Sequence, residues 1–424
     1  MRNSFCKYII FWFSQAVSQL GSSMTGFALV LWIYMQNGSA LEVSLMTFFN
    51  YIPFIIISVL SGAFVDRYSK KRIIIISDTI ASFCSVMILV LFVRQDLQIE
   101  HIYFMNFVLG AMNAFQAPAS AVVIGQMLSK DRMSQASGLI SFSTNLNMVL
   151  APVLASALFT IGGLKGILVV DLLSFAVALL VQLHLVIDTK DEVGKEDRQP
   201  LGVECRQGLQ FLRNNKIVWN VILTMAVLNF FSRLTYENIL SPMLLARSGN
   251  NSMALGTVNA VMGLSGIIGG IIVASGKGSR KSIKMIYLSA MFSFMFGDLL
   301  MGIGTNACVW MVAGIAASLP IPFINAGQNM ILYNCVPECM QGRVFAVRNA
   351  IQYSTIPIGI LLGGFLADYV FEPFMRSENA VTAILHACVG DGPGSGMAVM
   401  FLVTGIIGSI FSLVAYIRLK EFEF

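Results

Sequence analysis

The chain has 424 residues, 56% of them hydrophobic and only 12% charged, with a mean hydropathy of +0.77 and a formal net charge of +5. So few charges cannot cover the surface of a globular protein in water, so a soluble fold is excluded, and the small positive excess argues for neither nucleic acid nor an acidic partner. The apolar runs are continuous and far longer than the alternating strands of a membrane barrel, which leaves helices as the only way to satisfy the backbone in lipid.

In chain order, twelve apolar stretches read as transmembrane helices. They cover residues 8–36, 41–65, 73–94, 101–127, 134–160 and 164–187, then 217–246, 252–276, 283–304, 306–333, 344–370 and 396–418. Each reaches the roughly 20 residues needed to cross about 30 Å of hydrocarbon. The expected fold class is an all-α membrane protein with two related six-helix bundles, 1–187 and 217–424, joined by a linker at 188–216. The basic start of the first stretch is signal-like. Its apolar run is too long and lacks a cleavage pattern, so it is kept as span one.

Lys and Arg resist translocation, and 22 of the 27 fall in loops on the side of the two termini; four lie opposite and Arg233 sits inside a span. Both termini are therefore expected in the cytoplasm, with the chain in the inner membrane. Seven scattered cysteines and three scattered histidines form no metal-ligand cluster; Cys335 and Cys339 are one helical turn apart but have no further ligand nearby. No metal or cofactor is expected.

Span one carries Gln15, Ser18, Gln19, Ser22 and Thr25 at intervals of three or four, which puts them on one helical face bordering a cavity. Asn113 and Gln116 of span four, Asn147 of span five, and Asn325, Gln328 and Asn329 of span ten join this candidate set. In hydrocarbon each must bond another helix, water or a ligand, and interhelical bonding and cargo contact stay open as alternatives. Trp12, Trp32, Phe230, Phe231 and Tyr236 are candidates for flat contacts with a large ligand, or for facing lipid.

The loop after span two reads Gly62-Ala63-Phe64-Val65-Asp66-Arg67-Tyr68-Ser69-Lys70-Lys71-Arg72. Glycine lets two helices approach closely, and an aspartate can meet a helix N-terminus or a basic group across a bundle interface. Gly62, Asp66, Arg67, Lys70, Lys71 and Arg72 are therefore a candidate conformational latch. Inside the spans, Asp171, Asp298 and Asp368 fall towards the outer ends, where exposure to water is expected to keep them ordinary. Arg233 and Glu237 are one turn apart in span seven, either as a self-neutralising pair or as a site for ligand or proton. A carboxyl taken out of water favours its neutral form, so Asp171 or Glu237 is the candidate proton carrier.

The linker holds six basic and six acidic residues, and its second part places Val203, Leu209 and Leu212 near one helical face, expected to lie on the membrane surface. The halves also repeat. Gly62 and Gly270, Asn113 and Asn325, Arg132 and Arg343, and Pro152 and Pro357 are displaced by 208, 212, 211 and 205 residues. The second copy of the loop has Ala274 where an aspartate would fall.

The Gly62–Arg72 segment resembles the signature between the second and third helices of the major facilitator superfamily. Span five, with Gly138, Asn147, Ala151-Pro152, Ala155 and Ser156, resembles that family's exporter-associated helix with most glycines replaced. Span four has Gly110 but no arginine upstream of it. Together with Gln15 and Gly21 of span one, Val170–Phe175 and Gly208–Arg213, these segments look like the macrolide-efflux and enterobactin-exporter branch over nearly the full length. The resemblance implies a monomeric secondary transporter in contact with membrane lipids, exporting an amphipathic small molecule, macrolide-like or siderophore-like, by alternating access with protons as the coupling ion. An importer of the same fold, or a receptor or scaffold that does not transport, would carry the same spans. No nucleotide loop or catalytic cluster points to an ATP-driven pump or an enzyme.

Overall fold

The structure, a computed structural model, describes residues 2–127, 133–184, 201–275 and 281–422. Among these the backbone is helical with no strand. In order the helices are α1 (Arg2–Asn37), α2 (Ala40–Arg67), α3 (Lys70–Val93), α4 (Ile99–Met127), α5 (Met133–His184), α6 (Leu201–Asn214), α7 (Lys216–Thr235), α8 (Leu240–Arg247) and α9 (Ser252–Ala274). They continue with α10 (Ser282–Phe292), a π-helical turn (Ser293–Asp298), α11 (Leu299–Ile303), α12 (Ala307–Ser318), α13 (Ile321–Cys335) and α14 (Glu338–Leu366). A second π-helical turn (Ala367–Phe371), α15 (Glu372–Met375), α16 (Ala380–Val389) and α17 (Ser395–Leu419) complete the fold.

Eleven described stretches are long and apolar enough to cross a membrane, and one of them, Leu146–His184, runs for 39 residues. A straight helix of that length would be about 58 Å long, twice the hydrocarbon thickness. It turns back at Gly163, whose φ of 58° and ψ of −163° break the helix inside α5. Only glycine takes that backbone without strain. Two crossings therefore share α5, which accounts for twelve spans in eleven stretches. Helix starts are set by asparagine caps: the Asn215, Asn251 and Asn306 side chains accept from the Val218, Ala254 and Val309 amides.

Two compact units emerge, Met1–Gly38 with Leu45–Gly194, and Ser39–Ser44 with Lys195–Phe424. In the first, α1 packs along α5, and α3 lies against α4 and α5. In the second, α7 packs on α14, α10 on α13 and α17, and α9 on α12. The apolar core of this unit gathers Val221, Ile222, Ile286, Tyr287, Leu332 and Val344. It also takes in α6. Leu212 is fully buried in that core, with Leu209 and Phe211 packed against it. The α6 face assigned to the membrane surface from sequence is thus covered by protein, because α7 follows one residue later and holds α6 against α14. Residues 188–200 of the linker, and the Val203 side chain, lie outside the described set.

Candidate functional site

Within the first unit a pocket of about 730 Å³ is lined by Gln15, Ser18, Gln19, Ser22, Asn113, Gln116 and Asn147, all named from sequence, together with Asp78 and Asp171. The polar face of α1 forms one wall. Two carboxyl groups anchor the pocket at different levels. Asp78 lies eight residues into α3 and Asp171 eight residues beyond the Gly163 turn, each about 12 Å from the end of its helix.

Asp78 accepts three amide hydrogen bonds, from Gln15 Nε2 at 3.4 Å, Gln116 Nε2 at 2.5 Å and Gln182 Nε2 at 2.6 Å. Asp171 accepts three hydroxyl hydrogen bonds, from Ser22 Oγ at 3.1 Å, Thr25 Oγ1 at 3.0 Å and Ser85 Oγ at 2.8 Å. Three helices build the Asp171 level, and a fourth, α4, joins them at Asp78 through Gln116. α1 supplies Gln15 to one and Ser22 and Thr25 to the other, α3 supplies Asp78 and Ser85, and the second arm of α5 supplies Gln182 and Asp171. Between the levels, Ser18 and Gln19 of α1 and Ser82 of α3 keep the wall polar.

Close packing of α1 on α5 sets the Asp171 level. A Cβ at Gly21 would overlap Ser174 Oγ and come within 3.0 Å of an Asp171 oxygen, so only glycine lets the two helices approach this closely. Asp171 is 4% exposed and Asp78 9%. The water exposure expected for Asp171 from its place near a span end is therefore not found. The neighbouring hydroxyls and the Gly21 contact enclose it. Among the described residues, neither carboxyl group has a cation partner. Six neutral donors surround the two acids, so either can be held as a carboxylate whose charge a bound cation or proton would neutralise.

The second unit holds a related cluster. Asp298 ends the π-helical turn and is 1% exposed, again buried where sequence position suggested exposure. Thr404 Oγ1 of α17 lies 2.9 Å from its Oδ2, and the Tyr236 hydroxyl lies against the same carboxyl group. Tyr236, read from sequence as a flat cargo contact or a ring facing lipid, instead sets its ring edge-on to Phe401, with centroids 5.2 Å apart, and buries its hydroxyl.

The remaining candidates do not line this pocket. Asn325 and Asn329 are exposed on α13; Asn329 Oδ1 accepts from Arg348 Nη1 at 3.4 Å, and Gln328 is buried. Arg233 Nη1 donates to Glu237 Oε2, and the two side chains keep about a third and a quarter of their surface exposed. Asp368 accepts from Ser39 Oγ at 2.7 Å and from the Ala40 and Leu41 amides at 3.1 and 2.9 Å, which makes it the cap of the first turn of α2. Gly62, Asp66 and Arg67 fall in the last turns of α2, but their side chains lie outside the described residues. Lys70 is buried at the start of α3, Lys71 half-buried and Arg72 exposed. Sequence reasoning missed Asp78 and Gln182. The available signal was an acid eight residues inside an isoleucine-rich span, a place where charge is costly.

Comparison with known proteins gives one family and several distant relatives. The sequence model of the Major Facilitator Superfamily matches residues 11–360. Macrolide efflux protein A of Streptococcus pyogenes is 23% identical over 390 residues, covering 90% of this chain and 95% of that protein. The multidrug efflux pump Tap of Mycolicibacterium fortuitum is 21% identical, covering 84% and 88%. Among solved structures, the nucleoside transporter NupG superposes with a TM-score of 0.67 at 14% identity, covering 95% of this chain and 98% of that one. An inward-facing bacterial homologue of the iron transporter ferroportin gives 0.67 at 13% identity, covering 96% and 99%. These two likenesses concern the fold alone.

Proposed function

Because this chain belongs to the major facilitator superfamily, we propose that it is a secondary exporter whose first-unit pocket takes up an amphipathic organic compound bearing positive charge, in exchange for protons. One observation carries the reading: two buried carboxyl groups line one pocket, each ringed by three neutral donors, with no cation among the described residues beside either. A cationic group of the cargo would supply the missing counter-charge, and the apolar lining from Phe27, Leu109 and Phe175 would hold its carbon skeleton. Of the two cargo classes implied by the family resemblance, the pocket's charge favours a macrolide-like compound with an amine over an acidic siderophore, which would meet two carboxylates. The efflux names of the relatives support the outward direction.

Proton exchange follows from competition. A proton and a cargo cation cannot both neutralise the same carboxylate, so loading one releases the other, and Asp171 and Asp78 are the proposed carriers. Glu237 is already neutralised by Arg233 and is the weaker carrier. Cargo binding rests on Gln15, Ser18, Gln19, Ser22, Asn113, Gln116 and Asn147; Asn325, Gln328 and Asn329 are left out of it. The 62–72 loop is the proposed conformational latch. The positive charge bias supports a bacterial cytoplasmic membrane with both termini inside, and the chain is taken to act as a monomer surrounded by lipid.

The test is transport in proteoliposomes under an imposed pH gradient, with macrolides, other lipophilic amines and acidic siderophores as cargo. Gradient-driven flux of the amines, collapsed by an uncoupler and lost in Asp171→Asn and Asp78→Asn, is the expected result. Flux that favours the acids, or that survives both substitutions, would overturn the reading.

A further inference from the structure

Asp298 lies outside the pocket and has no part in the transport scheme above. It is nevertheless placed like Asp171. Ser85 and Asp298 are displaced by 213 residues and Thr25 and Tyr236 by 211, close to the spacing of the sequence repeat. Asp171 and Thr404 are 233 apart, an excess of about 20 residues that is close to the length of the segment 376–394, which carries α16 ahead of α17. The same three helices of each half thus meet at one carboxyl group. Its position has moved from the sixth span in the first unit to the ninth in the second, and a hydroxyl stands where the acid was.

The hydrogen inventories differ. Around Asp171, Ser22, Thr25 and Ser85 each have the carboxylate as their acceptor, so three hydrogens converge on it. Around Asp298, Thr404 Oγ1 lies 2.9 Å from Oδ2 but also 3.0 Å from Met400 O and 3.2 Å from Phe401 O. One hydroxyl hydrogen serves one acceptor well, and in a helix the carbonyl four residues back is the habitual one. With that hydrogen given to Met400 O, the contact to Asp298 is a hydrogen bond only when the carboxyl group donates it. Asp298 Oδ1 and the Tyr236 hydroxyl are both buried without a hydrogen-bond partner, and the two side chains are near enough to interact.

We propose that Asp298 is a second proton-binding site, holding its proton at neutral pH in a chain that runs from Tyr236 O–H to Asp298 Oδ1, from Asp298 Oδ2–H to Thr404 Oγ1, and from Thr404 O–H to Met400 O. Every polar atom of the cluster is then satisfied with no cation. Among the described residues none is beside it: residues 395–412 of α17 carry no acid or base, 307–318 of α12 carry only Cys308, α10 brings only Lys284 at its far end and Tyr287, which is bonded to Thr224, and Arg233 of α7, one turn before Tyr236, is paired with Glu237. Asp298 also closes a π-helical turn, an irregularity that recurs at functional positions. The site is independent of the cargo pocket and of what the pocket carries.

Infrared spectroscopy of the full chain in lipid separates un-ionised carboxyl groups from carboxylates. The wild type at neutral pH should show a carboxyl band that is absent in Asp298→Asn, where Asp78 and Asp171 remain, and that shifts in Tyr236→Phe and Thr404→Val. A spectrum unchanged by Asp298→Asn would overturn the proposal. A band lost in Asp298→Asn but unmoved in both hydroxyl variants would overturn the shared chain. Should Asp298→Asn not fold, the two hydroxyl variants decide: a shift supports the site and identical bands refute it. Loss of cargo flux in Asp171→Asn tests the pocket separately, so failure of one reading leaves the other intact.

Discussion

Asp171 and Asp298 each sit where three helices of a unit converge, and they differ in what closes around the oxygens. Asp171 borders a pocket of about 730 Å³ and gathers three hydroxyl donors, one of them on the exposed Ser22. Asp298 faces packed side chains, shares one threonine with two helix carbonyls and adjoins one phenol. An acid with converging donors beside a cavity suits exchange, because either ion or proton can reach it and the ionised form is already solvated by protein. An acid sealed by apolar neighbours suits storage. The repeat supplies the same helices twice, and a few hydroxyl positions decide which use the acid has.

The largest effect that would break this contrast is expected from the exchange-competent acids. Replacing Asp171 or Asp78 by the isosteric amide removes a charge that organises three donors. Hydrogen bonds to charged groups are worth about 1.5–3 kcal/mol each, so cargo affinity should fall on the order of tenfold to a hundredfold and gradient-driven flux with it. Cargo binding measured by titration calorimetry in detergent checks this, and an equal loss in Asp298→Asn would erase the distinction between the two acids.

Next in size is Gly21→Ala. The added methyl meets Ser174 and Asp171, so α1 and the second arm of α5 must separate. Overpacking of this kind costs about 1–3 kcal/mol. The expected outcome is a lower melting temperature together with weaker cargo binding, since the Ser22 and Thr25 bonds to Asp171 lengthen. A stable variant with normal binding would mean that the close approach does not set the Asp171 level.

Thr404→Val tests the sealed cluster with a smaller perturbation. It keeps shape and removes one hydroxyl, so a loss of about 1 kcal/mol in stability is expected, with cargo affinity unchanged. A fall in affinity as large as that of Asp171→Asn would show that the second cluster communicates with cargo.

How much of this was legible in sequence depends on the range of the interaction. The spans followed from hydropathy and from Lys and Arg placement, because lipid imposes those patterns locally. The polar face of α1 was legible for the same reason: Gln15, Ser18, Gln19, Ser22 and Thr25 obey helical spacing within eleven residues. Asp78 falls inside the span read as 73–94, where its charge was a local signal, but its partner Gln182 is 104 residues away. Tyr236 was readable as an aromatic, but nothing nearby in sequence placed Asp298 beside its hydroxyl. The surface assigned to α6 failed because amphipathicity states that one face is covered without saying whether lipid or protein covers it.

The smallest effect is expected where charge is most conspicuous. Arg233 and Glu237 are a turn apart on one helix and form an ion pair, yet both keep part of their surface open, and exposed i, i+4 pairs contribute about 0.3–0.5 kcal/mol. A double-mutant cycle of Arg233→Gln and Glu237→Gln on thermal stability should give a coupling of that order, with cargo flux nearly unchanged in the double variant. The single variants are the sharper instrument. Each leaves one charge on a span without its partner, so each should be less stable than the double variant if the surrounding medium is lipid, and equal to it if the pair faces water. A double variant that loses flux as Asp171→Asn does would move the exchange site from the hydroxyl-ringed acid to the ion pair, because burial among neutral donors would then have failed as the mark of an acid that carries protons.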